Sequence, residues 1–319
     1  MSTIAEPVSK DAPIYVAGHR GMVGSAIVRR LRAGGYTNII VRTRQELDLL
    51  DAPAVAAFLA AERPAYIFDA AAKVGGIHAN NAYRGEFLYE NLTIQTNLVH
   101  GAMKAGVKRM LFLGSSCIYP RDCPQPIREE YLLTGPLEYT NEPYAIAKIA
   151  GIKLCDAYNA QYGTQYVSAM PTNLYGPFDN YDLQSSHVLP ALIRKVHEAR
   201  QAGASSLTVW GTGTPRREFM HVDDMADACV FLMESGVESG LFNIGVGEDL
   251  SIRELAELVM KIIGFEGEIR FDTSKPDGTP RKLLSVERLN ALGWKARIGL
   301  ADGIAQTYRS FLAGEARGL

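Results

Sequence analysis

Ile14-Tyr15-Val16-Ala17-Gly18-His19-Arg20-Gly21-Met22-Val23-Gly24, followed by Ala26, Ile27, Val28 and Leu31, passes from an apolar run through spaced glycines into apolar residues at helical intervals. That order reads as strand, tight turn and helix. Gly18, Gly21 and Gly24 let the chain turn sharply, let a pyrophosphate approach the backbone and let the helix pack on the strand. The helix start presents unpaired N–H groups to phosphate oxygens. The spacing G-x-x-G-x-x-G differs from the commoner G-x-G-x-x-G, and a glycine triplet alone also suits an ordinary loop. With a strand before it and a helix after it, the stretch is a candidate dinucleotide-phosphate turn made of Gly18, His19, Arg20, Gly21, Met22, Val23 and Gly24.

Outward from this turn the alternation repeats. Asn38-Ile39-Ile40-Val41 reads as a strand, 53–62 as a helix, and Ala65-Tyr66-Ile67-Phe68-Asp69-Ala70-Ala71-Ala72 as a strand emptying into small residues. A long helix over 86–105 leads to strand Arg109-Met110-Leu111-Phe112-Leu113, and a further strand is Gln165-Tyr166-Val167-Ser168-Ala169-Met170. Strands alternating with helices build a parallel, doubly wound α/β sheet with ligands at the C-terminal strand ends. Beyond about residue 180 the alternation loosens into a smaller α/β lobe: a helix over 188–199, strand Leu207-Thr208-Val209-Trp210, a helix opening at His221 with Asp223 or Asp224 near its positive end, and a strand over 241–245. Ser251-Ile252-Arg253-Glu254 has the form of a capping box for a helix reaching 263, a polar turn covers 275–282, and a last helix follows Leu300. The expected division is a dinucleotide-binding domain over 1–180, a return to it around 221–247, and a substrate-binding lobe over 181–319.

Strand 38–41 ends in Arg42-Thr43-Arg44, where an NAD-preferring site places an acid on the ribose 2′-hydroxyl. Arginines there, with Arg20 in the glycine turn, suit a 2′-phosphate and hence NADP. The same residues also read as solvated charges at a strand end. Asp48 and Asp51 follow at a spacing that suits one of them near the adenine.

Candidate chemistry lies in two further stretches, Leu113-Gly114-Ser115-Ser116-Cys117 at a strand end and Glu142-Pro143-Tyr144-Ala145-Ile146-Ala147-Lys148 on a helix. Residues four apart share a helix face, so the Lys148 cation would favour the Tyr144 phenolate and make the phenol a proton donor near neutral pH. Alone, Tyr-x-x-x-Lys fits any amphipathic helix that stacks a Tyr on a Lys. Glycine turn, serine-bearing strand end and Tyr–Lys helix together point one way.

Composition bounds the function. The 319 residues, 47% hydrophobic and 21% charged, suit an ordinary globular enzyme of one or two domains. A net charge of −2 argues against nucleic acid as the main partner. Cys117, Cys123, Cys155 and Cys229 make neither a C-x-x-C pair nor a cysteine–histidine cluster at zinc spacing, so no metal site is expected and reduced thiols fit the cytoplasm. No apolar run approaches the roughly 20 residues of a membrane span, and 1–13 lack a signal-peptide core.

In this order the pieces resemble the extended short-chain dehydrogenase/reductase family, whose fold is a Rossmann-like doubly wound parallel sheet with a smaller α/β C-terminal substrate lobe. The likeness is carried by Ala17 to Ser25, Ala72-Lys73-Val74-Gly75-Gly76-Ile77, Gly114-Ser115-Ser116-Cys117-Ile118-Tyr119-Pro120, Asn141 to Lys148, Pro171 to Pro177, Ser186-His187-Val188, Arg217 to Asp224 and Ser274 to Lys282. Within the family these residues are similar to the branch that epimerises and reduces GDP-4-keto-6-deoxy-D-mannose with NADPH. Dehydratases carry a Thr-Asp-Glu pattern where this chain has Cys117, and 4-epimerases carry small residues there. The resemblance implies Cys117 as base and His187 as acid for inversion at C3 and C5, Ser115 as donor to the ketone oxygen, Tyr144 as acid at the C4 oxygen and Lys148 as the group that positions the ribose. It implies cofactor contacts from the glycine turn, Arg44, Leu113, Gly114, Ser115, Ser116, Lys148, Pro171, Thr172, Asn173, Leu174 and His187. For the substrate it points to Lys195, Trp210, Arg217 and Asp277, with Lys282 as a weaker candidate, and it implies a homodimer. Each also has a bland reading: an unpaired Cys is most often a small buried hydrophobe, and Lys195 could be a solvated helix face. A related reading is a reductase or epimerase of another nucleotide-linked 4-ketosugar; one from another class is a non-catalytic NADP-sensing protein, which would have no need of Ser115, Tyr144 and Lys148 together.

Overall fold

Ile14 to Ala17 form β1 (Ile14–Ala17), every residue of it buried, because four apolar side chains in a strand covered on both faces have no solvent side to keep polar. The computed structural model describes residues 8–275 and 277–317. After β1 come α1 (Met22–Ala33), β2 (Ile39–Ile40), α2 (Ala52–Glu62), β3 (Tyr66–Asp69), α3 (Ile77–Ala82), α4 (Arg84–Lys104), β4 (Arg109–Leu113), α5 (Glu142–Tyr162) and β5 (Gln165–Pro171). The chain continues through β6 (Asn173–Tyr175), α6 (Val188–Gln201), β7 (Ser206–Trp210), β8 (Arg216–Arg217), β9 (Phe219–His221), α7 (Val222–Glu234) and β10 (Gly240–Ile244). It ends with β11 (Leu250–Ser251), α8 (Ile252–Ile263), β12 (Glu268–Asp272), β13 (Arg281–Lys282), α9 (Glu287–Ala291) and α10 (Leu300–Leu312).

The main sheet is parallel throughout, in the order β10-β5-β4-β3-β1-β2. One face carries α1 and α7, packed through Ile27, Leu31, Met225 and Val230; the other carries α2, α4 and α5, packed through Leu59, Leu98 and Ile152. The strand order reverses between the neighbours β1 and β3, and the loops after β1, β3, β4 and β5 open at one edge. A third apolar cluster, built on Leu192, Val209, Val259 and Phe311, holds α6, α8 and α10 against β7. The Ser251 box is present as read: its hydroxyl accepts from Glu254 N–H at 3.1 Å and the Glu254 carboxylate accepts from Ser251 N–H at 2.7 Å.

Two segments differ from their sequence reading. The polar turn at 275–282 turns back into structure, since Arg281 and Lys282 form β13, paired in parallel with Arg216 and Arg217 of β8. Residue 276 of that turn lies outside the described residues. Strand β12, which the sequence reading passed over, pairs with β7 in parallel register, and its alternation of charged and apolar residues was a signal for it. Among the described residues no helix is long and apolar enough to cross a membrane.

Candidate active site

The glycine turn is a close approach of backbone to backbone. Gly18 stands at φ +76°, and a Cβ on it would lie 2.6 Å from the Ala70 carbonyl oxygen; one on Gly24 would overlap the Gly18 carbonyl. Gly21 donates its N–H to Gly18 O at 2.9 Å and caps α1 without a side chain. The amides of Met22, Val23 and Gly24, in the first helical turn, have no intrahelical acceptor. Such a cradle of donors, with no side chain to fill it, fits the pyrophosphate of a dinucleotide. His19 is half-buried, and burial lowers its imidazole.

On the neighbouring loop the arginines divide. Arg42 donates to Glu62 Oε1 at 2.5 Å and to Val41 O at 2.8 Å, and lies over the Phe58 ring, so its guanidinium is committed. Arg44 is exposed, with a 3.6 Å contact to Asp48, and Arg20 is exposed as well. Asp48 accepts from Leu50 N–H and Asp51 from Ala54 N–H, so both carboxylates serve the local backbone.

At the end of β4, Gly114 donates its N–H to Ala169 O at 2.9 Å, and any Cβ there would run into Met170, which fixes the next turn to the sheet. Ser115 begins a 3₁₀ turn and its Oγ accepts from Cys117 N–H at 3.4 Å. The turn buries Ser116 and leaves Cys117 8% exposed. Tyr144, in the first turn of α5, meets Phe87 edge to face at 6.4 Å. Burial first, and the Cys117 charge second, push the Tyr144 hydroxyl well above its ordinary range.

Lys148 lies on the Tyr144 side of α5, as the helix spacing suggested, and also reaches the end of β4. Its Nζ donates to Leu113 O at 2.8 Å, lies 4.8 Å from the Phe112 ring centre and 6.0 Å from that of Tyr144. The phenol, raised by burial, stays protonated and ready to donate. Burial holds the Lys148 ammonium below its usual value, opposed chiefly by Asp69. Asp69, fully buried at the end of β3, is pushed up to about 6 by that burial and eased down by Lys148; its Oδ1 accepts from Ala71 N–H at 3.3 Å. Sequence reading passed over Asp69, although an acid inside the apolar run 65–72 was a signal.

Cys117 lies among cations. Burial raises its thiol, and Lys282, the Ser115 hydroxyl and Lys148 draw it back in that order. His187 caps α6, and its loop is fastened to the Gly75–Gly76 wall by Gly76 N–H donating to Ser185 O at 2.9 Å. His187 keeps an exposed face, while the protein packed around it, then the Lys282 charge, lower its imidazole. Pro171 ends β5; Thr172 Oγ1 and Asn173 Nδ2 donate to Glu218 O at 3.2 and 2.8 Å, and Leu174 packs against the core. Glu218 was also missed: wholly buried, it accepts from the amides of Val246, Gly247 and Leu284 and ties the end of the main sheet to the segment after β13.

From Cys117 the candidate substrate residues run outward as a chain. Lys282 of β13 is in register with Arg217 of β8, and Arg217 feels the charge of Asp277. Asp277 accepts from Thr212 N–H at 2.7 Å and Thr212 Oγ1 at 2.8 Å, so its carboxylate shapes the turn after Trp210. Trp210 is 55% exposed, with Lys195 Nζ 4.9 Å from its ring centre and Lys275, read in the sequence only as part of a polar turn, at 5.4 Å. An exposed indole between two ammonium groups can stack a planar base and meet a diphosphate. Among the described residues no His, Cys, Asp and Glu cluster is fit to hold a metal ion.

Known proteins place these features in a family. The family model described as "NAD dependent epimerase/dehydratase family" matches residues 14–245. GDP-L-fucose synthase 1 of Arabidopsis thaliana is 57% identical over 313 residues, covering 98% of this chain and 96% of that protein. GDP-L-fucose synthase of Escherichia coli is 54% identical over 313 residues, covering 95% and 98%. A solved structure of a GDP-L-fucose synthetase from Naegleria fowleri bound to NADP superimposes with a TM-score of 0.88 at 30% identity, covering 98% of this chain and 96% of that one. The chain therefore belongs to the NAD dependent epimerase/dehydratase family, the extended short-chain dehydrogenase/reductases.

Proposed function

We propose that the protein takes GDP-4-keto-6-deoxy-D-mannose, inverts C3 and C5 of the hexose and reduces C4 to give GDP-L-fucose, with NADPH as cofactor. The observation that carries this reading is Cys117 in the serine turn, bordered by the Tyr144–Lys148 helix and by cations. A 4-keto group acidifies the hydrogens on C3 and C5, so a thiolate suffices to remove them where an unactivated sugar would need a far stronger base. The relatives named GDP-L-fucose synthase over nearly the whole chain support it.

Ser115 and Tyr144 donate to the 4-keto oxygen and stabilise the enolate as the α proton leaves to Cys117 Sγ. His187 delivers a proton to the carbon from the opposite side, which inverts the centre. Bound NADPH supplies the hydride to C4. Tyr144 gives its proton to the resulting C4 oxygen, a role suited to a phenol that burial keeps protonated. The glycine turn would hold the cofactor's pyrophosphate, and Arg20 and Arg44 would hold its 2′-phosphate. The GDP part lies along Arg217, Trp210 and Lys195, and 181–319 form the substrate lobe against the 1–180 domain.

Incubation with GDP-4-keto-6-deoxy-D-mannose and NADPH in deuterated water tests the whole reading. Loss of nicotinamide absorbance with deuterium at C3 and C5 of GDP-fucose is expected; oxidation without deuterium would leave a ketoreductase, and no reaction would end the proposal. Arg44→Ala is expected to weaken NADPH by roughly tenfold to a hundredfold, as a charge-assisted contact would, and NADH little; equal weakening in a fluorescence titration would move the 2′-phosphate elsewhere.

The required charge states also fix a pH profile. Inversion needs the Cys117 thiolate, whose thiol is raised, and the His187 imidazolium, whose pKa is lowered. Below the His187 value the exchange rate should climb with pH as thiolate appears, stay level between the two values because thiolate gains what imidazolium loses, and fall above the Cys117 value. A rate that keeps rising between the two values and levels off above the Cys117 value would remove His187 as the acid.

The outer surface of α4 and α5 exposes Tyr89, Ile146 and Tyr162, which supports a homodimer formed through these helices. Sedimentation at the monomer mass would exclude it. Four free cysteines suit a cytoplasmic protein; disulfides in protein isolated from cells would contradict that.

A further inference from the structure

Lys282 is a half-buried cation for which no hydrogen bond or ion pair exists among the described residues, whereas both of its neighbours in the chain are held. Arg281 pairs with Asp249 at 2.5 Å. Leu283 donates its N–H to Gln125 Oε1 at 2.9 Å and its carbonyl accepts from Ile127 N–H at 2.7 Å. Leu284 donates to Glu218 Oε2 at 3.0 Å and Ser285 to Ile127 O at 2.8 Å. The strap 281–285 is thus stitched to the loop 125–127 that continues from the Cys117 turn. Cys117 and Lys282 line one cavity, together with Gln125, Ile127, Glu138 and Asn141.

We propose that Lys282 is a positioning residue for the base step, the counter-ion of the Cys117 thiolate, held against it by the strap 281–285. The proposal rests on the reading of Cys117 as base. A buried thiol is a poor source of thiolate, because removing it from water penalises the charged form. A nearby ammonium that no carboxylate neutralises offsets that penalty. As the S–H bond forms and the C–H bond breaks, the electron pair passes to the enolate oxygen, and the positive charge at Lys282 then faces a neutral thiol and an anionic sugar.

Other charges around Cys117 do not take this part. Lys148, from α5, is engaged by Leu113 O and faces Asp69, and Tyr144 is neutral. Arg217 lies beside Lys282 in register and donates to Arg216 O. Arg121, on the cavity rim, is paired with Asp122, and the Glu138 carboxylate accepts from Thr140 N–H and Oγ1. His187 feels Lys282 as well, so one ammonium bears on both the base and the acid.

The test reads the thiol without substrate. The ultraviolet absorbance of the Cys117 thiolate, taken as the difference between each protein and its Cys117→Ser counterpart, is followed against pH for wild type, Lys282→Met and Lys282→Arg. Lys282→Met should reduce the thiolate at neutral pH by roughly tenfold, about one unit of titration, and slow C3 and C5 exchange in parallel, while Lys282→Arg restores most of both. An unchanged Cys117 titration in a Lys282→Met protein that still binds NADPH would overturn the proposal, and a rise in KM alone would make Lys282 a substrate ligand only. A shifted titration together with exchange retained in Cys117→Ser would leave the counter-ion standing and remove Cys117 as the base, so the two failures are distinct.

Discussion

Cys117→Ser is expected to abolish deuterium incorporation at C3 and C5, by about 10²- to 10⁴-fold, the range typical of a positioned base, while NADPH binding and melting temperature stay near wild type. The reasoning is one of proton affinity and size. Serine occupies nearly the volume of cysteine, and the turn is held by the Ser115 Oγ bond to the residue 117 amide, which the replacement keeps. The hydroxyl, however, is far too weak an acid to supply an alkoxide beside Lys282 and Lys148 at neutral pH. Proton NMR of the substrate in deuterated water, with NADPH omitted, isolates this step from reduction. Exchange at the wild-type rate would show that another group removes the proton.

Tyr144→Phe should stop hydride transfer, again by about 10²- to 10⁴-fold, while exchange at C3 and C5 falls much less. The ring stays in its edge-to-face contact with Phe87, so only the hydroxyl is lost. Reduction develops a full alkoxide at C4 that must gain a proton, whereas the enolate of the exchange step keeps Ser115 as a donor. Stopped-flow loss of nicotinamide absorbance read beside the NMR exchange rate separates the two. Equal loss of both rates would mean that Tyr144 serves the epimerisations as much as the reduction.

Some parts of the site were legible because they obey local rules. The glycine turn was readable because two close backbone approaches, at Gly18 and Gly24, tolerate no Cβ, and the short apolar strand before it is buried on both faces. Strand β4 could be bounded to the residue, since Arg109 opens it and Gly114 closes it. Other parts failed for reasons equally physical. Arg42 and Arg44 look alike in sequence, and only the approach of Glu62 and Phe58 commits the first and leaves the second exposed. Lys148 shares a helix face with Tyr144, and only the fold shows that its ammonium is also tied to the Leu113 carbonyl.

The sequence by itself determined the doubly wound sheet, the strand ends that carry the chemistry and the identities of the groups there, because period, glycine spacing and residue type are local properties of the chain. What only the tertiary structure decided is which of those groups share an electric field. Asp69 and Lys148 come from different crossovers, and Lys282 reaches Cys117 across a separation of 165 positions through a strap of backbone hydrogen bonds. Charge states in a buried site follow from distance and lost solvent, and neither is written along a single element.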